Sequence, residues 1–389
     1  MTQEFSPFMQ MADGTIKQIN PFSGTEVWTV PGRGDRPLQG PQVEKNPIEP
    51  GEHACAFCWD RKLETPPEKA RMLADASVLR NVLADELDAT VPEFRRIPNL
   101  FEIVTFDYWN ANYGLEADEV LISRYLSTGY EHVQSVVEAK TKKRLDGEEL
   151  VAHARGFFSG GHDVIVARRH FVEGAKDSSQ FASAGTLSAD EHARFIAFTV
   201  DAMEDLYAKN PYATYVVAFQ NWLKPAGASF DHLHKQLVAI DDRGRTLRNL
   251  EKLMLDNPNI FNEKGLDVAR REDLVIAENE HAVLFAGFGH RYPTLEVYSK
   301  NQGRPWEHTP EQIRGVSNLL HMAHRAIGAD VPCNEEWHHQ PPEVECAMPW
   351  RINVKLRVST LAGFEGCTHV YLNTISPWDL RDKVRAALD

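Results

Sequence analysis

The segment His232-Leu233-His234-Lys235-Gln236 sets two imidazoles and a carboxamide at alternate positions. Successive side chains of an extended strand point to opposite faces, so His232, His234 and Gln236 share one face and Leu233, Lys235 and Leu237 the other. Three polar groups on one face of a strand otherwise suited to burial are costly unless they are used. A histidine with one ring nitrogen held as a donor presents the other as a lone-pair nucleophile. His234 in that role would attack an α-phosphorus, and Gln236 would donate to a phosphate oxygen where charge develops. Glutamine has no titratable proton, so the pattern favours transfer onto a phosphate over hydrolysis, which gains from an acid at that position. Just upstream, Ala226-Gly227-Ala228-Ser229 lets a ligand approach the backbone closely.

Cys55-Ala56-Phe57-Cys58 has the spacing that places two thiolates on one metal ion, and a redox pair is the competing reading. There is no second C-x₂-C, so a tetrahedral site needs two distant ligands. His170 and His232 are the choices, with His53 and His162 as alternatives. Arg33 and Arg36 lie in the constrained stretch Pro31-Gly32-Arg33-Gly34-Asp35-Arg36-Pro37, where two guanidinium groups suit phosphate oxygens.

These residues need elements to hold them. Residues 1–53 are rich in Gly, Pro and polar side chains and read as an extended arm with one strand at 26–30. Residues 66–90 and 115–156 carry helical patterns. Strands are expected at 163–167, 215–219, 232–240, 282–286 and 351–358. Helices are expected from Ser188 to about Lys209, from Thr309 to about Ile327, and from Ser376-Pro377 to the end. Trp337, His338 and His339 read as loop. Strand, helix, strand, loop, strand thus occurs twice, near 163–240 and 282–360. The expectation is an α+β fold of two tandem duplicated units, antiparallel sheets with flanking helices, divided as 1–245 and 246–389.

Composition narrows the partners. The 389 residues carry 42 Lys+Arg against 56 Asp+Glu, a net charge of −14. That balance argues against a nucleic-acid surface, which relies on neutralising phosphates with cations, yet leaves room for a small phosphorylated ligand. No apolar run approaches the roughly 20 residues that span a bilayer, and the first residues lack a signal peptide's basic and apolar regions. Five irregularly spaced cysteines read as reduced, and the expected location is cytoplasmic.

Four segments, in one order, resemble the galactose-1-phosphate uridylyltransferase family within the histidine-triad-like superfamily. They are Asn20-Pro21-Phe22-Ser23-Gly24 through Arg36-Pro37, Cys55-Ala56-Phe57-Cys58 with Thr65-Pro66-Pro67-Glu68, Arg96-Ile97-Pro98-Asn99, and Phe219-Gln220-Asn221 through Gln236. The last is the most specific. The resemblance implies transfer of a nucleoside monophosphate, UMP by expectation, from a nucleotide-sugar to a sugar phosphate or similar acceptor through a covalent His234–nucleotide. It implies structural zinc on Cys55, Cys58, His170 and His232. It also implies Asn99 near the base, phosphate contacts from Asn221, Gly227, Ser229, Gln236, Arg33 and Arg36, and a homodimer. Two positions depart from the pattern. Leu233 replaces a proline, and Asn353-Val354-Lys355 replaces a His-x-His in the second unit. Lys355 is then either a surface lysine or a partner for an anionic acceptor. Residues from about 102 to 160 read as an insertion. Dinucleoside polyphosphate phosphorylases share the His-x-His-x-Gln pattern, and a nucleotide-binding protein without turnover is the non-enzymatic alternative.

Overall fold

β-Branched runs make the central strands. His162-Asp163-Val164-Ile165-Val166-Ala167 is buried along its whole length, as a strand covered on both faces must be. The computed structural model describes residues 6–32 and 55–388. Arg33, Arg36 and His53 lie outside them.

Along the chain the strands are β1 (Phe8–Gln10), β2 (Ile16–Ile19), β3 (Glu26–Thr29), β4 (Ala70–Met72), β5 (Val78–Arg80) and β6 (Phe94–Pro98). Three helices follow, α1 (Phe106–Tyr113), α2 (Glu119–Thr141) and α3 (Gly147–Ser159). Next come β7 (His162–Ala167), α4 (Ala189–Lys209), β8 (Tyr215–Trp222), β9 (His234–Ile240), α5 (Gly244–Asp256) and α6 (Asp267–Arg271). The remainder holds β10 (Val275–Glu278), β11 (Ala282–Ala286), β12 (Thr294–Ser299), α7 (Pro310–Ile327), β13 (Cys333–His338), β14 (Arg351–Leu356), α8 (Gly363–Thr368), β15 (Val370–Asn373) and α9 (Pro377–Leu388).

The fold is α+β with antiparallel sheets. One sheet of 11 strands runs β10-β11-β12-β14-β13-β8-β9-β7-β6-β4-β5. Each of its ladders is antiparallel. Its strand order reads alike outward from the β8–β13 junction: β8-β9-β7-β6 on one side, β13-β14-β12-β11 on the other. A smaller sheet, β1-β2-β3-β15, joins the two ends of the chain through a parallel β3–β15 pair.

Residues paired across a ladder share a face. His234 pairs with Val166, and Gln236 with Val164 and Phe219. Phe219 pairs with Glu336, and Glu336 with Asn353. One face of the large sheet therefore carries the motif's polar residues. Lys235, Leu237 and Ala218 lie on the other face, which α4 and α7 cover while packing on each other. Both helices start as their sequences predict: Ser188 accepts from the Glu191 amide and Thr309 from the Gln312 amide, each within a capping box.

Four expectations change. Residues 66–90 hold β4, β5 and a short 3₁₀ turn, not a helix, because β4 is drawn into the sheet edge by pairing with β6. Trp337 and His338 belong to strand β13 rather than to a loop, pairing with Ile352 and Arg351. β9 begins at His234, so His232 stands just before the strand. The arm before residue 33 is a meander, β1-β2-β3. Gly289 fixes its seat: with φ +65, a Cβ there would come within 2.2 Å of the Asn20 nitrogen.

Candidate active site and metal centre

His234 opens β9 at the floor of a 430 Å³ cleft walled by Phe57, Ile97, Asn99, His162 and Phe230. Its Nδ1–H donates to the His232 carbonyl at 2.7 Å. That bond fixes the tautomer and leaves Nε2 with a lone pair. Burial pushes the ring's pKa down to about 4, so the imidazole is neutral near pH 7. The ring of Phe57 stands edge-on to it, 5.2 Å between centroids.

Gln236 is oriented by two residues. His162 Nδ1 accepts from the Ile103 amide at 3.0 Å, so its Nε2 carries the proton and donates to Gln236 Oε1 at 3.1 Å. Asn99 Oδ1 is occupied by the Phe101 amide, so its Nδ2 donates to the same Gln236 oxygen at 3.3 Å. With the oxygen doubly held, the Gln236 NH₂ is the group left for the cleft. This is the polarity a developing phosphate charge requires.

Cys55, Cys58, His170 and His232 bring their ligand atoms within 4.8 Å of one another. The sulfurs are 4.0 Å apart, and each thiol lies 3.5–3.9 Å from the two Nδ1 atoms. A tetrahedral ion with Zn–S near 2.3 Å and Zn–N near 2.0 Å would give ligand–ligand edges of roughly 3.3–3.8 Å. The donor set thus fits zinc. The Cys55 hydrogen bond holds Cys58 toward the thiolate, the form that binds a metal ion, while the same bond and burial push the Cys55 thiol up. His232 Nε2–H donates to the Ala167 carbonyl at 2.7 Å, the outer bond a metal-binding imidazole needs.

Six predicted residues therefore meet here: His234 and Gln236 in the cleft, and the four metal candidates beside it. Asn99 joins them as the anchor of Gln236, and Ser229 is exposed in the cleft's lining. Asn221 and Gly227 are not part of that lining. Asn221 instead accepts from Asn334 Nδ2 at 2.7 Å, and Gly227 takes φ +90 at the end of the 3₁₀ turn 224–226. Lys355 lies in a different cleft, paired with Glu336. His162, an alternative metal ligand in the sequence, is instead the support of Gln236. The alternation His162, Val164, Val166 along β7 carried that signal. Phe57 had no signal beyond its place between the two cysteines.

A family model described as "Domain of unknown function (DUF4921)" matches residues 11–389. The chain belongs to this family. It is 28% identical over 192 residues to an ADP-glucose phosphorylase of Arabidopsis thaliana, covering 46% of this chain and 53% of that protein. The match thus spans about half the length of that curated relative. The structure resembles an Arabidopsis thaliana ADP-glucose phosphorylase with bound ADP-glucose, with a TM-score of 0.62 at 20% identity over 95% of this chain and 98% of that one. It also resembles a GalT-like protein of the same plant (TM-score 0.61, 19% identity, 95% and 98% covered) and a uridylyltransferase mutant (TM-score 0.55, 16% identity, 96% and 97% covered). The uridylyltransferase-like fold read from the motifs is the fold observed.

Proposed function

We propose that this protein transfers a nucleoside monophosphate from a nucleotide-sugar to a phosphorylated acceptor, or to phosphate itself, through His234. The observation that carries the reading is the His234 ring, neutral, pinned at Nδ1 and lining a cleft beside the donor side of Gln236. Nε2 attacks the α-phosphorus, forming an N–P bond. The bridging P–O bond breaks, and the sugar phosphate leaves with the electron pair. A phosphate oxygen of the acceptor then attacks the same phosphorus and His234 leaves. Gln236 donates to the oxygen that gains charge in both steps, and the Nδ1 proton stays on the ring, hydrogen-bonded to the His232 carbonyl. Zinc on the four-residue cluster would supply rigidity, and His232 couples it to the nucleophile through one backbone carbonyl.

Uridine is the base expected from the motif resemblance, whereas similarity to an ADP-glucose phosphorylase favours adenine. The strand order about the β8–β13 junction supports two duplicated units, 1–245 and 246–389.

Incubation with UDP-glucose or ADP-glucose labelled in the α-phosphate, followed by denaturation, is expected to leave acid-labile, base-stable label on the chain. His234→Ala should abolish it. A His234→Ala variant with full transfer activity would sink the reading, and the donor that labels fastest identifies the base.

A further inference from the structure

The polar face of the large sheet carries a second cleft, of 530 Å³. Its floor is β14, where Arg351, Asn353 and Lys355 alternate on that face. Asn353 is connected to Gln236 through Glu336 and Phe219, three strand steps. At ~4.8 Å per step the two floors are roughly 14 Å apart. A phosphate seated on β14 is therefore out of reach of the His234 ring.

Most of the charged groups of this cleft have partners. Lys355 Nζ holds Glu336 at 2.5 Å and His290 Nε2 holds Glu296 at 2.8 Å. Asp242 takes the Gly244 amide and the Arg248 guanidinium, and Arg243 is shared by Glu251 and Glu343. Arg291 and Arg351 have no carboxylate at ion-pair distance among the described residues, although the Arg351 charge helps hold the Glu296 carboxyl below its usual range. Arg351 is only 6% exposed, and its guanidinium lies 4.4 Å from the Phe261 ring centroid with Nε unpartnered. Arg291 sits over Tyr292 and Tyr371, also with Nε unpartnered. A guanidinium buried as deeply as that of Arg351 is nearly always paired. Asn353 Oδ1, in a residue 5% exposed, has no partner. With Glu296 and Glu336 it offers acceptors suited to hydroxyl groups.

We propose that this cleft binds a phosphate monoester of a sugar or small polyol, its phosphate on Arg291 and Arg351 and its hydroxyls on Asn353 and the two glutamates. Phe219 and Leu247 supply the apolar wall. The site requires no chemistry at His234, so it stands apart from the transfer reading.

Calorimetric titration of the full chain with glucose 1-phosphate, with glucose as the uncharged control, tests it. Arg291 and Lys355 are both partly exposed, so an Arg291→Gln/Lys355→Met double variant should fold. It is expected to bind glucose 1-phosphate at least tenfold more weakly or with one site fewer per chain, whereas Gln236→Ala should keep that site. Absence of binding, equal binding by the double variant, or loss of this site in Gln236→Ala would each overturn the proposal.

Discussion

His234 and Gln236 are held by different neighbours, so their contributions can be separated residue by residue. The His234 tautomer depends on a backbone carbonyl that no side-chain change removes. Gln236 depends on the side chains of His162 and Asn99. Removing a donor aimed at developing charge costs on the order of 10²–10³ in rate, so Gln236→Ala should lower kcat by about that factor. Asn99→Ala removes one of two supports for the same carboxamide and should cost less than removing the carboxamide itself. Rapid-quench measurement of label transfer to His234 distinguishes the cases. If Gln236→Ala labels at the wild-type rate, the carboxamide has no role in the transfer step.

At the scale of elements, the cysteine turn at 55–58, just before the 3₁₀ segment Trp59–Glu64, must be tied to the connections that follow β7 and precede β9. The tie is the Cys55–Cys58–His170–His232 cluster, and Phe57 within the turn meets both Phe230 and His234. Four ligands drawn from three segments tie the turn to the sheet, so loss of the ion should loosen the wall of the cleft as well as the fold. Cys58→Ser, or treatment with a strong chelator, is expected to lower the zinc content measured by elemental analysis. It should also lower Tm by several degrees and slow His234 labelling. Full labelling by a zinc-free chain with an unchanged Tm would refute the structural role.

Across the whole molecule, the two halves of the large sheet are joined beneath the clefts by a buried ionic network. Lys235 Nζ on β9 meets Glu335 Oε1 on β13 at 2.5 Å, both side chains fully buried. His324 of α7 and the Trp337 indole also donate to Glu335. Breaking one partner of such a pair costs about 3–5 kcal/mol, while replacing both by apolar groups costs far less. Glu335→Leu should therefore destabilise strongly and Lys235→Met/Glu335→Leu much less, as measured by urea unfolding. Burial alone would raise the Glu335 pKa, but the Lys235 ammonium and the His324 bond override it and hold it well below the usual carboxylate range. A folded-state pKa depressed in this way contributes stability that is present above the unfolded value of about 4.3 and lost as pH falls below it. The wild type should lose stability between pH 5 and about 3 more steeply than the double variant; parallel curves would remove the network from the acid response.

The periodicity and capping signals were local, and they located β7, α4, α7 and the strand bearing His234 from the chain alone. So was the pairing of Cys55 with Cys58, which three-residue spacing makes unavoidable. What the sequence left open depended on contacts between distant segments. β4 and β5 carry a helix-like pattern, and their pairing with the sheet edge at β6 overrides it. His162 could serve as metal ligand or hydrogen-bond donor until the fold put it beside Gln236 and put His170 beside the cysteines. Lys355 was equally a surface lysine or an anion's partner; the register of β14 against β13 set it opposite Asn334 and beside Glu336, in a cleft that is not His234's. Strand alternation decides which residues share a face, and it is legible in one dimension. Which strands lie side by side, and hence which polar residues share a cleft, is set by pairing between segments that can lie more than a hundred residues apart.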